Sequence, residues 1–367
     1  MGSPREGWLV NYAYKLHQTT HYASPGFLLT IACPILFALQ GAVVNKSGVT
    51  VDSGVAHAVL WTVLVGIRFN IIKQWSLGED RPFWWVSESP HFTWQRIPDL
   101  RQFPVTCLTS PAAPLFSLLA AGAGIVIVNA AVKLIKSIEF KNARQRRWIV
   151  IGTWLSFGVF VGSVAEAEML FSTNFPHQVA ISLAIGLSIG YVATRRSFSG
   201  VASIKKILLV NLVIMALCYL AMWRGEAIAT FNDYQKLVFK WCQRREWMQI
   251  DPSPLLDSFL YTGYAIGAEL LRKSSYYKRV NKPKFTYKMI ISLVILNLGA
   301  ALAIALIFDA IPKTLKQPHV YAWYAAQLVG GILIPYSYGA VVPYFVQKVS
   351  GVPPLKIVRC LFLRPPD

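Results

Sequence analysis

Charge is scarce in this chain. Only 14% of its 367 residues are charged, against about 25% in an average soluble domain. With 54% hydrophobic residues and a mean hydropathy of +0.44, that shortage excludes an ordinary solvated globule and points to a membrane protein. Acidic residues are the scarcer sign, 17 against 36 basic ones, so the net charge is +19. Such an excess suits nucleic acid, but the pattern along the chain gives it another meaning. The five cysteines, Cys33, Cys107, Cys218, Cys242 and Cys360, lack metal-ligand spacing. Internal repeats and low-complexity tracts are missing as well. The first 25 residues hold no apolar core segment, so no cleavable signal peptide is expected.

What is abundant is long apolar runs. Nine segments approach the roughly 20 apolar residues that cross a bilayer as a helix. They cover about 26–45, 55–75, 112–135, 148–166, 177–194, 206–223, 254–271, 289–308 and 320–346. Arg68 interrupts the second, and Asp257 and Glu269 interrupt the seventh. Backbone groups in lipid must be satisfied within the segment, and no period-two alternation suggests a β-barrel. The expected fold class is therefore all-α: a polytopic membrane protein with about nine transmembrane helices. Residues 1–350 form one transmembrane domain, and 351–367, with Pro353, Pro354, Pro365 and Pro366, form an irregular tail.

The connections alternate in charge. Lys136, Lys141, Arg144, Arg146 and Arg147 follow the third span, and Arg195, Arg196, Lys205 and Lys206 follow the fifth. Seven basic residues between Arg272 and Lys288 follow the seventh, and Lys348, Lys356, Arg359 and Arg364 lie in the tail. The other connections are mixed or acidic, with Glu79, Asp80, Glu88, Glu166, Glu168, Asp233, Glu246 and Asp251. By the positive-inside rule the basic connections and the C-terminus are cytosolic, and the N-terminus lies across the membrane. The basic residues then mark topology and contact with anionic lipid, and nucleic acid is not an expected partner. The sequon Asn45-Lys46-Ser47 falls on the cytosolic side and is expected to go unused.

Several blocks together resemble the glucose-6-phosphatase catalytic subunit family. They are Gln18-Thr19-Thr20-His21-Tyr22, Arg81-Pro82-Phe83-Trp84-Trp85-Val86, Gln102-Phe103-Pro104-Val105-Thr106-Cys107 and Phe175-Pro176-His177-Gln178-Val179. Trp241-Cys242, Glu246-Trp247, Ile250-Asp251 and Pro343-Tyr344 continue the series. The resemblance implies an endoplasmic-reticulum protein with a lumenal site and no cofactor, in the type 2 phosphatidic-acid-phosphatase superfamily. That superfamily's signature is a lysine with six residues between it and Arg-Pro, a Pro-Ser-Gly-His, and a Ser-Arg with five residues between it and a His. Lys and two Arg clamp the charge on a transferring phosphoryl group. One His attacks phosphorus, and another protonates the leaving oxygen.

Carried over residue by residue, most of that set is replaced. Arg81 matches the first arginine. The lysine position falls on Gln74, with Lys73 one residue off and so turned about 100° on a helix. The acid histidine becomes Ser117, in Pro114-Leu115-Phe116-Ser117. The second arginine becomes Glu168, and the nucleophilic histidine becomes Asn174. No register repairs this, because no histidine lies between His91 and His177 and no Lys or Arg lies from Trp148 through Thr194. His177, three residues past Asn174, is read as a polar group at the lumenal end of the fifth span.

The expectation is a pseudophosphatase that acts by binding a phosphorylated sugar or another small lumenal ligand, a lipid or a membrane partner. The alternatives are a rewired phosphohydrolase using Arg81, Lys73 and His177, and a transporter using the vacated pocket. Cys107 and Cys242 either pair as a disulfide or stay as two free thiols. Arg68 either faces the bundle or snorkels. Phe83, Trp84, Trp85, Phe92 and Trp94 read as an interfacial aromatic belt in preference to a ligand-covering group. Glu166, Glu168 and Asn174 read as a solvated acidic loop in preference to a cation site.

Overall fold

In the computed structural model the described residues are 20–39, 54–88, 107, 110–138, 140, 142–195, 204–223, 235–242, 244–248, 254–274, 287–314 and 320–349. Among them there is no strand. The long helices are α1 (Pro25–Leu39), α2 (Gly54–Leu77), α4 (Leu115–Ser137) and α5 (Ala143–Leu170). After them come α6 (Pro176–Arg195), α7 (Ile204–Trp223), α9 (Pro254–Lys273) and α10 (Tyr287–Thr314). The last, α11, runs Val320–Tyr336, passes through a π turn at Ser337–Val341 and ends as Val342–Val349. Two short helices, α3 (Pro82–Glu88) and α8 over residues 235–241, lie outside this series.

Each apolar run expected to span holds a helix among the described residues. Among the described residues, six are long and apolar enough to cross a membrane, which is fewer than nine. α1 has a shorter apolar length, and α9 carries Glu269, Arg272 and Lys273 near its end. The expected tail, 351–367, and the sequon lie outside the described residues.

α2 is the hub. It is apolar on all sides, as a buried helix is, and it packs on α1, α4, α6, α7 and α9. Its buried residues Val59, Leu60, Val63, Leu64 and Ile67 belong to one core cluster with Leu118, Leu119, Tyr264 and Tyr338. α5 is peripheral and turns Trp148, Trp154, Leu155 and Val159 outward.

Lipid is as apolar as leucine, so helix pairs here rely on close approach between backbones. On α6, a Cβ added at Gly186 would lie 2.2 Å from the Leu118 carbonyl oxygen of α4, and one at Gly190 would lie 2.4 Å from that of Gly122. In α11, Pro335 lacks the N–H that would close its helical turn, and the π turn follows directly.

Arg68 faces the bundle. Its guanidinium donates to Asn211 Oδ1 on α7, to Ser258 Oγ at 2.8 Å, to Ser258 O at 3.2 Å and to Thr262 Oγ1 at 2.6 Å on α9. One charge in the span thus ties three helices together, which resolves the choice left by the sequence.

Cys107 and Cys242 form a disulfide with a Cα–Cα distance of 6.0 Å. Around it Phe83, Trp84 and Val238 bury a small apolar cluster. Phe83 and Trp84 are therefore cap residues and not an interfacial belt; Trp85 is exposed, and Phe92 and Trp94 lie outside the described residues. Beside the cluster, hydrogen bonds from Trp241 and Lys240 hold the exposed Glu88 carboxyl below its ordinary range. The bridge closes a separation of 135 residues. Replacing Cys242 by serine should therefore cost about 2–5 kcal/mol, read as a lower melting temperature in detergent that reductant reproduces in the unmodified chain. Equal melting of oxidised and reduced protein would show that the bridge does not brace the cap.

Candidate functional site

Five helix ends meet beside this cap. α2 stops at Gly78, whose φ of +57° is the left-handed conformation glycine adopts most cheaply. The chain then turns through Glu79 and Asp80, and the Ala112 amide donates to Glu79 O at 2.9 Å. Pro82 opens α3 at a position where proline is favoured. Arg81, just before it, is 5% exposed. Its guanidinium donates to Ser110 O at 2.9 Å, Ser110 Oγ at 3.1 Å and Pro111 O at 3.4 Å. Gln74 donates to the same Pro111 carbonyl at 3.2 Å. Arg81 and Gln74 therefore both hold the segment leading into α4.

Lys73, one residue away from Gln74, points elsewhere. Its Nζ donates to Ser182 Oγ on α6, and it lies within electrostatic reach of Glu168 and Glu79. The one-residue offset splits the pair, with Gln74 on the α4 approach and Lys73 on the α5–α6 side.

α5 ends in a paired-carbonyl turn with serine where glycine is usual. Ser172 has φ +50°. Its amide donates to Met169 O at 2.9 Å, and the Thr173 amide donates to Glu168 O at 3.3 Å, the two bonds of a Schellman stop. Thr173 Oγ1 also donates to Glu168 O at 2.7 Å, and Ser172 O accepts from Phe83 N at 3.3 Å. This turn sets Glu168, Thr173 and Asn174 in place and fastens them to α3.

Glu168 is 5% exposed on the last turns of α5, so it is not part of a solvated loop. Its Oε2 accepts the Ser117 amide at 3.2 Å and the Ser117 hydroxyl. Ser117 is the third residue of α4, where helix amides have no partner within the helix. The carboxylate therefore caps α4 from a neighbouring helix, at the end where the dipole favours an anion. Ser117 is fully buried.

Asn174 is 4% exposed. Its Nδ2 donates to Thr173 Oγ1 at 3.1 Å, while its Oδ1 has no hydrogen-bond partner. His177 opens α6 from outside the cluster: it is exposed and stacks on Phe175, with ring centroids 5.6 Å apart and planes at 17°. Among the described residues, no group of His, Cys, Asp and Glu could hold a metal ion.

The structure thus gathers Lys73, Ser117, Glu168 and Asn174 at one helix-end cluster, with Arg81 and Gln74 on its α4 side. Their partners Ser110, Ser182 and Thr173 are not among the residues expected from sequence. A serine inside an apolar span is the one signal that could have found Ser182.

The chain is similar to several curated proteins along most of its length. It is 24% identical to mouse glucose-6-phosphatase catalytic subunit 1 over 296 residues, covering 80% of this chain and 81% of the relative. It is 27% identical to human glucose-6-phosphatase 3 over 310 residues, covering 82% and 84%. It is 25% identical to the cat catalytic subunit 1 over 335 residues, covering 88% and 86%. No family model and no solved structure matches. The six helices long and apolar enough to cross a membrane, the blocks around Arg81 and His177 and this similarity along most of the chain agree: the chain is a glucose-6-phosphatase-like membrane protein.

Proposed function

We propose that this chain is a pseudophosphatase: a nine-span protein of the endoplasmic reticulum, N-terminus lumenal and C-terminus cytosolic, that binds without hydrolysing. The observation that carries this reading is the buried Glu168 carboxylate on the amide and hydroxyl of Ser117. A phosphatase needs an empty, positive seat for phosphate. Here the start of α4 and the charge of Lys73 serve an anion that the chain itself supplies. Glu168 stands where the family resemblance expects a clamp arginine, Ser117 where it expects the acid, and Asn174 where it expects the nucleophile. Asn174 is an amide with no basic lone pair, so it cannot form a phosphohistidine-like intermediate. The loss of a nucleophile alone typically costs about four to six orders of magnitude in rate. The binding role is then assigned to a small lumenal molecule, a phosphorylated sugar being the family's example, or to a membrane partner.

One observation favours a second reading, a rewired phosphohydrolase. Lys73 reaches the cluster through Ser182 despite its offset, and His177 lies three residues past Asn174. Its imidazole, however, is stacked on Phe175 at the rim. Brief incubation with radiolabelled glucose 6-phosphate, followed by denaturation at high pH, separates the two. The pseudophosphatase reading expects no label on the chain, whereas acid-labile label mapped to His177 would establish the rewired enzyme.

A further inference from the structure

At the bundle end opposite this cluster, two connections are rich in basic residues. From Lys133 to Arg147 the chain has six cations and one acid, Glu139, and from Arg195 to Lys206 it has four cations and no acid. Successive antiparallel helices bring both connections to the same end, since α4 and α6 finish there and α5 and α7 begin there. Lys133, Lys136, Arg144, Arg146, Arg147 and Lys205 are exposed. None of the six takes part in an ion pair among the described residues.

Topology alone requires positive loops, not this arrangement. Arg144, Arg146 and Arg147 sit in the first turns of α5, with no acidic residue in its first turn. That is the positive end of the helix dipole, where cations are disfavoured unless an anion sits beside them. Directly behind them Trp148 is 61% exposed, the placement of a ring that marks the headgroup level. On α6 the Arg195 guanidinium lies 5.2 Å from the centre of the exposed Tyr191 ring. Guanidinium forks above aromatic rings at a membrane boundary match phosphate groups on lipid headgroups, which they hold bidentately.

We infer that this face is a docking surface for anionic phospholipid headgroups, centred on Arg144, Arg146 and Arg147 and continued by Arg195 and Lys205. Each basic residue close to an anionic surface strengthens attachment by about fivefold, so the three arginines together are worth on the order of a hundredfold.

The test uses the purified full chain in neutral detergent, titrated with phosphatidylinositol phosphate or phosphatidylcholine and read by native mass spectrometry. The unmodified chain is expected to retain the anionic lipid in preference to phosphatidylcholine. R144Q/R146Q/R147Q should weaken that retention at least about tenfold with an unchanged melting temperature, and R144K/R146K/R147K, which keeps the charge and loses the fork, should fall between the two. If the glutamine variant misfolds, added salt on the unmodified chain decides: it must release phosphatidylinositol phosphate and leave phosphatidylcholine bound. Equal retention of the two lipids, unchanged affinity in a folded glutamine variant, or salt-independent retention would overturn the inference. So would free inositol phosphate binding as tightly as the lipid, or displacement of the lipid by RNA.

Discussion

Purified Glu168→Ala protein is expected to bind inorganic phosphate at least about tenfold more tightly than the unmodified chain, while still hydrolysing nothing. The reasoning starts from charge. A carboxylate about 4 Å from a phosphate oxygen repels it by roughly 4 kcal/mol at the effective dielectric of a partly buried site. In the unmodified chain that carboxylate occupies the Ser117 amide and hydroxyl and faces Lys73. Its removal leaves an uncapped helix start, a free hydroxyl and a lysine around a small space. The same removal costs stability, because a charged hydrogen bond is worth about 1.5–3 kcal/mol, so the variant should melt lower and recover when phosphate is added. Glu168→Gln keeps an acceptor for Ser117 while dropping the charge, and should fall between the two. A folded Glu168→Ala protein with no gain in phosphate binding would show that α4 and Lys73 do not form an anion seat.

Gly186→Val should be the most damaging single change in the bundle. The added Cβ would meet the Leu118 carbonyl oxygen at 2.2 Å and its carbon at 3.0 Å, and backbone atoms cannot swing aside. Overpacking typically costs about 1–3 kcal/mol where side chains can adjust, so a backbone clash belongs at or above that upper end. α6 would have to move away from α4, taking Ser182 from Lys73 and disturbing the turn that holds Glu168. Loss of folded yield or a large drop in melting temperature is the expected readout. Gly158→Val supplies the control, since a Cβ there meets nothing within 4 Å and should be close to neutral. Similar melting of the two variants would mean that close α4–α6 contact is not what fixes the site.

The apolar runs were legible because bilayer thickness sets their length, and each holds a helix among the described residues, six of them long and apolar enough to cross. What stayed hidden depends on groups distant in sequence. Glu168 looked like a loop carboxylate because its neighbours Glu166 and Asn174 are polar. Its partner, the Ser117 amide at the start of α4, lies 51 residues earlier. The stop after α5 was invisible because Ser172, not glycine, takes the left-handed position. Arg68 could not be placed until Asn211, Ser258 and Thr262 were seen around it, 143 to 194 residues away. Phe83 and Trp84 passed for a membrane belt because nothing local shows that a disulfide from residue 242 covers them. The candidate residues themselves were named through the resemblance. The contact that joins two of them, Glu168 to Ser117, was not.

The central claim proposed is that this glucose-6-phosphatase-like chain has lost catalysis at a site it fills with its own carboxylate. Glucose 6-phosphate hydrolysis, measured in membranes containing the full chain beside an equal amount of human glucose-6-phosphatase 3, tests it most directly. The account predicts a rate at least about ten-thousandfold lower than that standard, indistinguishable from membranes without the chain. Turnover by the unmodified chain within about a hundredfold of the standard, abolished by Arg81→Ala, would contradict it.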